Sequence, residues 1–161
     1  MRAVDLIGCG ALNLDVIYRL PRSFPLRGEL GPPGTEQVMD AALRARVDAA
    51  LADADPVRAG GGQAANTVNA LARLGYATAM IGRVGADEDG RFVLDELSPA
   101  DARLVHREGE TGSVYVLLDE DGERRNLVWP CLLYTTDAAD DLPCVDLGGC
   151  RTIKKKNNTH I

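Results

Sequence analysis

Lysine is missing from the first 153 residues; its three copies are Lys154, Lys155 and Lys156. Arginine supplies the positive charge before them, and residues 1–130 hold 14 Arg against 20 Asp and Glu. The net charge of −6 leaves no surplus of cations to displace counterions, which argues against a nucleic-acid backbone as partner. No apolar run approaches membrane-spanning length, so no membrane partner is expected. The N-terminus meets an acid at Asp5 and carries no long apolar stretch, so no secretory signal is visible and a soluble cytoplasmic protein is expected. Histidine is scarce too. His106 is the sole copy before the tail and has no cysteine or histidine neighbour, so a surface or structural role is expected and no metal site is assigned. The phosphate-cradling pattern Gly-x-x-x-x-Gly-Lys-Ser/Thr does not occur.

What is present centres on the stretch Gly60-Gly61-Gly62-Gln63-Ala64-Ala65-Asn66, which runs on to Ala72-Arg73-Leu74-Gly75. Glycines without Cβ atoms permit close approach of a ligand or another strand. Apolar Val68, Leu71, Ala72 and Leu74 recur on one face of the expected helix, and Gly75 stops it. A tight turn before a core helix is the plain reading. The sharper one is a glycine turn that presents unpaired helix N–H groups to a ligand.

Nearer the N-terminus, residues 3–8 read as a short buried strand. Gly8-Cys9-Gly10-Ala11-Leu12-Asn13 begins like a dinucleotide fingerprint but lacks its third glycine and its helix. Instead, residues 13–18 alternate polar and apolar, as a half-exposed strand does. Asn13 and Asp15 then share a face, and an amide beside a carboxylate suits the hydroxyls of a polyol. The alternative is a pair of turn or solvent-face residues; the functional reading is favoured.

Residues 19–34 are loop-like, with four prolines and three glycines. Thr35 is expected to cap a helix running to about residue 52. This segment reads as an insertion rather than as part of the substrate mouth. Residues 77–82 form a second core strand, and Asp87 caps the next helix, with the acidic run at 87–89 assigned to the helix start rather than to a metal. A short strand is expected at 104–106. The runs at 111–118 and 123–129 flank Asp119-Glu120-Asp121-Gly122, a strong hairpin signal.

These features together resemble the ribokinase-like, or PfkB, carbohydrate kinases over about residues 3–130. Gly61, Gly62, Asn66 and the Ala-x-Leu-Gly end match the first signature of that family. Gly10, Asn13 and Asp15 match its Gly-x-x-Asn-x-Asp; Gly82-Arg83-Val84-Gly85-Ala86-Asp87 and Thr111-Gly112 also follow its pattern. The resemblance implies a truncated α/β ribokinase-like fold: a mostly parallel sheet flanked by helices, with a small β lid whose hairpin spans about 111–129. It implies transfer of the ATP γ-phosphoryl to a sugar hydroxyl, with a nucleoside as the alternative acceptor. ATP and Mg2+ are the implied cofactors, and a homodimer through the lid is the implied partner. Asn13, Asp15, Gly61, Gly62 and Asn66 are the implied substrate-binding residues. The family's base and most of its nucleotide site come from a downstream Gly-Ala-Gly-Asp segment that this chain does not contain, so no catalytic residue is assigned and the chain as written is expected to be inactive. A non-catalytic sugar-binding module is the reading from a different class.

The composition breaks at Cys131. Three of the four cysteines and all the lysines follow Pro130. The string from Cys131 to Asp141 resembles a translated transposon-type sequencing adapter, with Thr136 in place of serine. The string from Val145 to Lys156 resembles the translated outer adapter, with Cys150 and Thr152 as departures. Residues 131–161 are therefore expected to be a non-native, disordered tail. Cys144, Cys150 and His160 fit no standard zinc spacing.

Overall fold

The computed structural model describes residues 4–130, so the boundary at Pro130 and the tail expected at 131–161 lie outside the described residues. Two sheets share one core. The first is entirely parallel: β1 (Leu6–Cys9), β5 (Thr78–Val84) and β6 (Asp101–Arg107), in the order β1-β5-β6. Helix α2 (Gln63–Arg73) covers one of its faces, with Val68 fully buried against β1 and β5. The opposite face is uncovered among the described residues. Ile81 lies in register with Cys9 and Leu104, and Ile7, Ile81 and Leu104 are 55%, 40% and 58% exposed. Parallel sheets are ordinarily buried on both faces, so this apolar face lacks its usual cover.

The second sheet has five strands in the order β3-β8-β7-β2-β4: β2 (Asn13–Arg19), β3 (Glu36–Val38), β4 (Val57–Gly61), β7 (Gly112–Leu118) and β8 (Arg124–Trp129). Its β2–β7 and β3–β8 pairs are parallel, and its β2–β4 and β7–β8 pairs are antiparallel. Alternate residues divide the sheet into two faces. Leu14, Val16, Tyr115, Leu117 and Leu127 point into the core, which Met39, Val47 and Val93 complete. Helix α3 (Glu88–Glu96) lies against β2 and β4. Helix α1 (Ala41–Ala50) is tied to the same sheet: the Tyr115 hydroxyl donates to Asp48 at 2.7 Å, and the Arg44 guanidinium sits 4.4 Å above the Trp129 ring.

The hairpin expected at 111–129 forms as β7 and β8, but it stands in the middle of the larger sheet rather than as a separate flap. The helix expected from Thr35 starts later. Residues 36–38 extend to pair with β8, and Asp40 is the cap, accepting from the Leu43 N–H at 2.7 Å. Thr35 instead donates its hydroxyl to the Pro32 carbonyl. The free edge of β8 wins these residues over the helical stripe, because pairing satisfies backbone groups that the hairpin leaves open. The short strand expected at 104–106 is part of a longer one, Asp101–Arg107. Strand β4 was not expected at all: its last two residues, Gly60 and Gly61, are poor strand formers and read as turn.

Candidate functional site

The site begins with β2. Its apolar residues Leu14 and Val16 are buried, which turns Asn13 and Asp15 together onto the other face. The Asn13 amide donates to Asp15 Oδ1 at 2.7 Å. That leaves the second Asp15 oxygen and the Asn13 carbonyl oxygen without a hydrogen-bond partner among the described residues, free to accept from hydroxyls. Burial pushes the Asp15 carboxyl up from its ordinary value; the Asn13 hydrogen bond and the charge of Arg124 oppose the rise without cancelling it.

The neighbouring strands make room for this pair. Asn13 is in register with Gly61 on β4 and with Gly112 on β7, so glycine flanks it on both sides. At Gly61 the requirement is steric: a Cβ there would fall 2.3 Å from Asp15 Oδ1 and 2.6 Å from Asn13 Nδ2. Gly62 follows with φ of +109°, a conformation that side chains rarely adopt, and a Cβ on it would lie 2.2 Å from the Ala11 carbonyl oxygen. It also serves as the N-cap of α2 with no side-chain cap, so the first N–H groups of that helix have no capping acceptor from it.

Asn66 stands one turn into α2 and is exposed. Its amide has no hydrogen-bond partner among the described residues. No hydrogen bond joins it to Asn13 or Asp15; it lines a cleft with Gly60, Gly61, Asn69 and Glu96. That cleft has a volume of about 30 Å³, room for water rather than for a sugar ring. The structure thus brings Asn13, Asp15 and Gly61 together, sets Gly62 at the turn beside them, and leaves Asn66 on the adjoining helix.

The second glycine pattern proves structural. Asp87 caps α3 by accepting from the Gly90 N–H at 2.8 Å, and it also accepts from the Thr111 N–H at 2.8 Å and the Thr111 hydroxyl at 2.5 Å. Thr111 Oγ1 in turn accepts from the Gly85 N–H. This knot joins the end of β5 to the start of β7 and so fixes Gly112 beside Asn13. Burial raises the Asp87 carboxyl, but its hydrogen bonds from Thr111 and Gly90 outweigh that and hold it below the ordinary range. Gly112 and Arg124 are not among the implied substrate-binding residues; the lid patterns at Thr111-Gly112 and Gly122-Glu123-Arg124 contain them, and sheet register brings them to the face of Asn13 and Asp15.

Among the described residues, no group of three or more His, Cys, Asp or Glu side chains could hold a metal ion. A kinase Mg2+ takes most of its shell from nucleotide phosphates and water, so no protein ligands are assigned to one among these residues. No helix among them is long and apolar enough to cross a membrane.

The family model described as pfkB family carbohydrate kinase matches residues 37–140, a span that includes Gly61, Gly62 and Asn66 but not Asn13 or Asp15 and runs past Pro130. An ATP-dependent ribose-1-phosphate kinase of Halopiger xanaduensis is 31% identical over 124 residues, covering 74% of this chain and 35% of that protein. An uncharacterized sugar kinase of Archaeoglobus fulgidus is 40% identical over 63 residues, covering 37% and 25%. Among solved structures, adenosine kinase from Sinorhizobium meliloti is 26% identical with a TM-score of 0.60, covering 78% of this chain and 39% of that one. The chain thus spans well under half the length of these relatives. The glycine-flanked asparagine–aspartate pair, the ribokinase-like architecture and these matches lead to one conclusion: the chain belongs to the pfkB family of carbohydrate kinases.

Proposed function

We propose that this chain is the acceptor-binding part of an ATP-dependent sugar kinase. The observation that carries the reading is Gly61 lying beneath the Asn13–Asp15 pair, which opens a polar floor where a Cβ would close it. Asp15 and Asn13 would accept hydrogen bonds from sugar hydroxyls, and the Asn66 amide would add a donor from α2. The relatives named as a sugar kinase and as a ribose-1-phosphate kinase favour a sugar over a nucleoside, while the adenosine kinase of Sinorhizobium meliloti keeps the nucleoside as the second reading.

Phosphoryl transfer needs a base for the hydroxyl proton, stabilisation of the charge on the moving group, and exclusion of water. ATP would supply the phosphoryl group when bound. The described residues offer the acceptor floor and the strands of a lid, but no convergent set of groups for the nucleotide end. The uncovered face at Ile7, Ile81 and Leu104 is consistent with a domain whose remaining half is not described. We therefore expect the 161-residue chain to bind a sugar and not to phosphorylate it. A homodimer through the lid strands β7 and β8, as the family resemblance implies, belongs to the same reading. A cytoplasmic location and an adapter origin for residues 131–161 complete the reading.

Two measurements test it. Titration of the purified chain with ribose and adenosine should show binding that Asn13→Ala abolishes; binding untouched by that substitution refutes the assigned floor. Incubation with labelled ATP and either acceptor should give no product, and product formed by this polypeptide alone would overturn the expectation. Genomic DNA downstream of the Pro130 codon decides the tail: a frame continuing with Gly-Ala-Asn and later Gly-Ala-Gly-Asp supports the adapter reading, and DNA encoding Cys131 onward defeats it.

A further inference from the structure

The sheet face that carries Asn13 and Asp15 continues for two further rungs. Asp15 shares its rung with Val114 and Val128; the next holds Ile17, Val116 and Asn126; the last holds Arg19, Leu118 and Arg124. Arg19 and Arg124 therefore flank Leu118 on one face, with backbones about 10 Å apart, two inter-strand spacings. Both are exposed, and neither has an ion-pair or hydrogen-bond partner among the described residues. Of the eleven other arginines among the described residues, eight are in ion pairs. In a chain with 24 acids, two unpaired cations on one rung stand out. Like charges across a sheet cost stability, and nothing between them relieves it, because the intervening side chain is leucine. On the adjoining strand β3, Glu36 already accepts from Asn126 at 3.1 Å.

We propose that Arg19 and Arg124 bind an anionic group on the acceptor, so that the substrate is a sugar bearing a phosphate or a carboxylate. The proposal rests on the reading of this face as the acceptor site. Guanidinium groups bind both anions through paired N–H donors. Asp15 lies four residues before Arg19 on the same strand, about 13 Å along it, and arginine side chains lying back along the sheet shorten that gap to the scale of a phosphorylated monosaccharide. The face is polarised: the Asp15 carboxylate repels an anion at one end and the two arginines attract it at the other. This fixes which end of the substrate lies on the Asn13–Asp15 floor. The charge of Arg124 already reaches Asp15 and holds its carboxyl lower than burial alone would.

Calorimetric titration of the full chain with ribose, ribose 5-phosphate and gluconate tests the proposal. At least one of the two anions should bind about tenfold more tightly than ribose, a difference of about 1.4 kcal/mol. That advantage should shrink as salt approaches about 1 M, where the screening length falls to about 3 Å. The arms separate phosphate from carboxylate. Arg19→Gln combined with Arg124→Gln should erase the advantage, read as the ratio of anion affinity to ribose affinity within the same variant; both side chains are exposed, so the variant keeps its fold. Equal binding of all three sugars, or an advantage that survives the double substitution, overturns the proposal. An arginine-dependent advantage in a protein whose ribose affinity is unaffected by Asn13→Ala would instead defeat the acceptor-floor reading while keeping the anion site.

Discussion

Gly61 lies against Asp15 so closely that a Cβ on the glycine would stand 2.3 Å from the carboxylate oxygen. The contact joins two stretches 46 positions apart in sequence, and it is made through the β2–β4 pairing. Gly61→Ala would therefore push the carboxylate off its position beside Asn13. The obstructed atom is the end of a side chain that can rotate, so the fold should survive. Sugar affinity should fall by about tenfold or more, equivalent to about 1.4 kcal/mol. Titration read beside a thermal melt separates the effects: a lost transition with no folded protein to titrate would contradict the local account.

Asp15, the carboxylate of the proposed acceptor floor, is held at a stability cost. Burial raises its carboxyl above the ordinary 3.8. A raised folded value means the contribution is fully present below pH 3.8 and is lost as pH rises through the raised value, so ionised Asp15 burdens the fold at neutral pH. Asp15→Asn should leave the melting temperature at pH 7 unchanged or higher and should weaken sugar binding. A marked drop in melting temperature would show that Asp15 is structural.

Asp87 and Asp119 behave in the opposite sense. Asp119 is buried in the hairpin turn; burial raises its carboxyl, but N–H donors from Glu123 and Asp121, the Arg125 hydrogen bond and the Arg27 charge outweigh that and hold it low. Depressed carboxyls stabilise the fold above their ordinary value of 3.8, and that stability is lost as pH falls through the folded values. Melting temperature should fall as pH drops below about 4, and Asp119→Asn should flatten the decline while lowering stability at pH 7. An unchanged acid profile in that variant would refute the assignment.

Asp87→Ala removes a helix cap worth about 1 kcal/mol. It also strands the buried Thr111 N–H and hydroxyl, for about 1–3 kcal/mol more. Because the knot positions Gly112 beside Asn13, sugar affinity should drop together with stability. Denaturant melts showing no more than the cap loss would mean that Thr111 finds other partners.

The apolar face of the three-stranded sheet should drive self-association of this chain. Ile81→Thr with Leu104→Thr changes two side chains that are 40% and 58% exposed. The variant should sediment closer to a monomer than the parent, with little change in melting temperature. Identical sedimentation would mean that this face is not the sticky one.

By itself the sequence determined the parts governed by local chemistry. The alternation at 13–18 set Asn13 and Asp15 on one face, Asp87 announced its helix, and Asp-Gly at 121–122 announced its hairpin, because strand period, capping and turn geometry are properties of a few adjacent residues. Tertiary structure decided the rest. Gly60 and Gly61 became strand because β2 offered its edge, and residues 36–38 left the expected helix because β8 offered its own. The bowl around Asn13 exists only once Gly61 and Gly112, 51 positions apart, arrive on either side of it. Arg19 and Arg124 come to share a rung by the same pairing. Register between distant strands is fixed by the whole buried face at once, so no short window of sequence contains it.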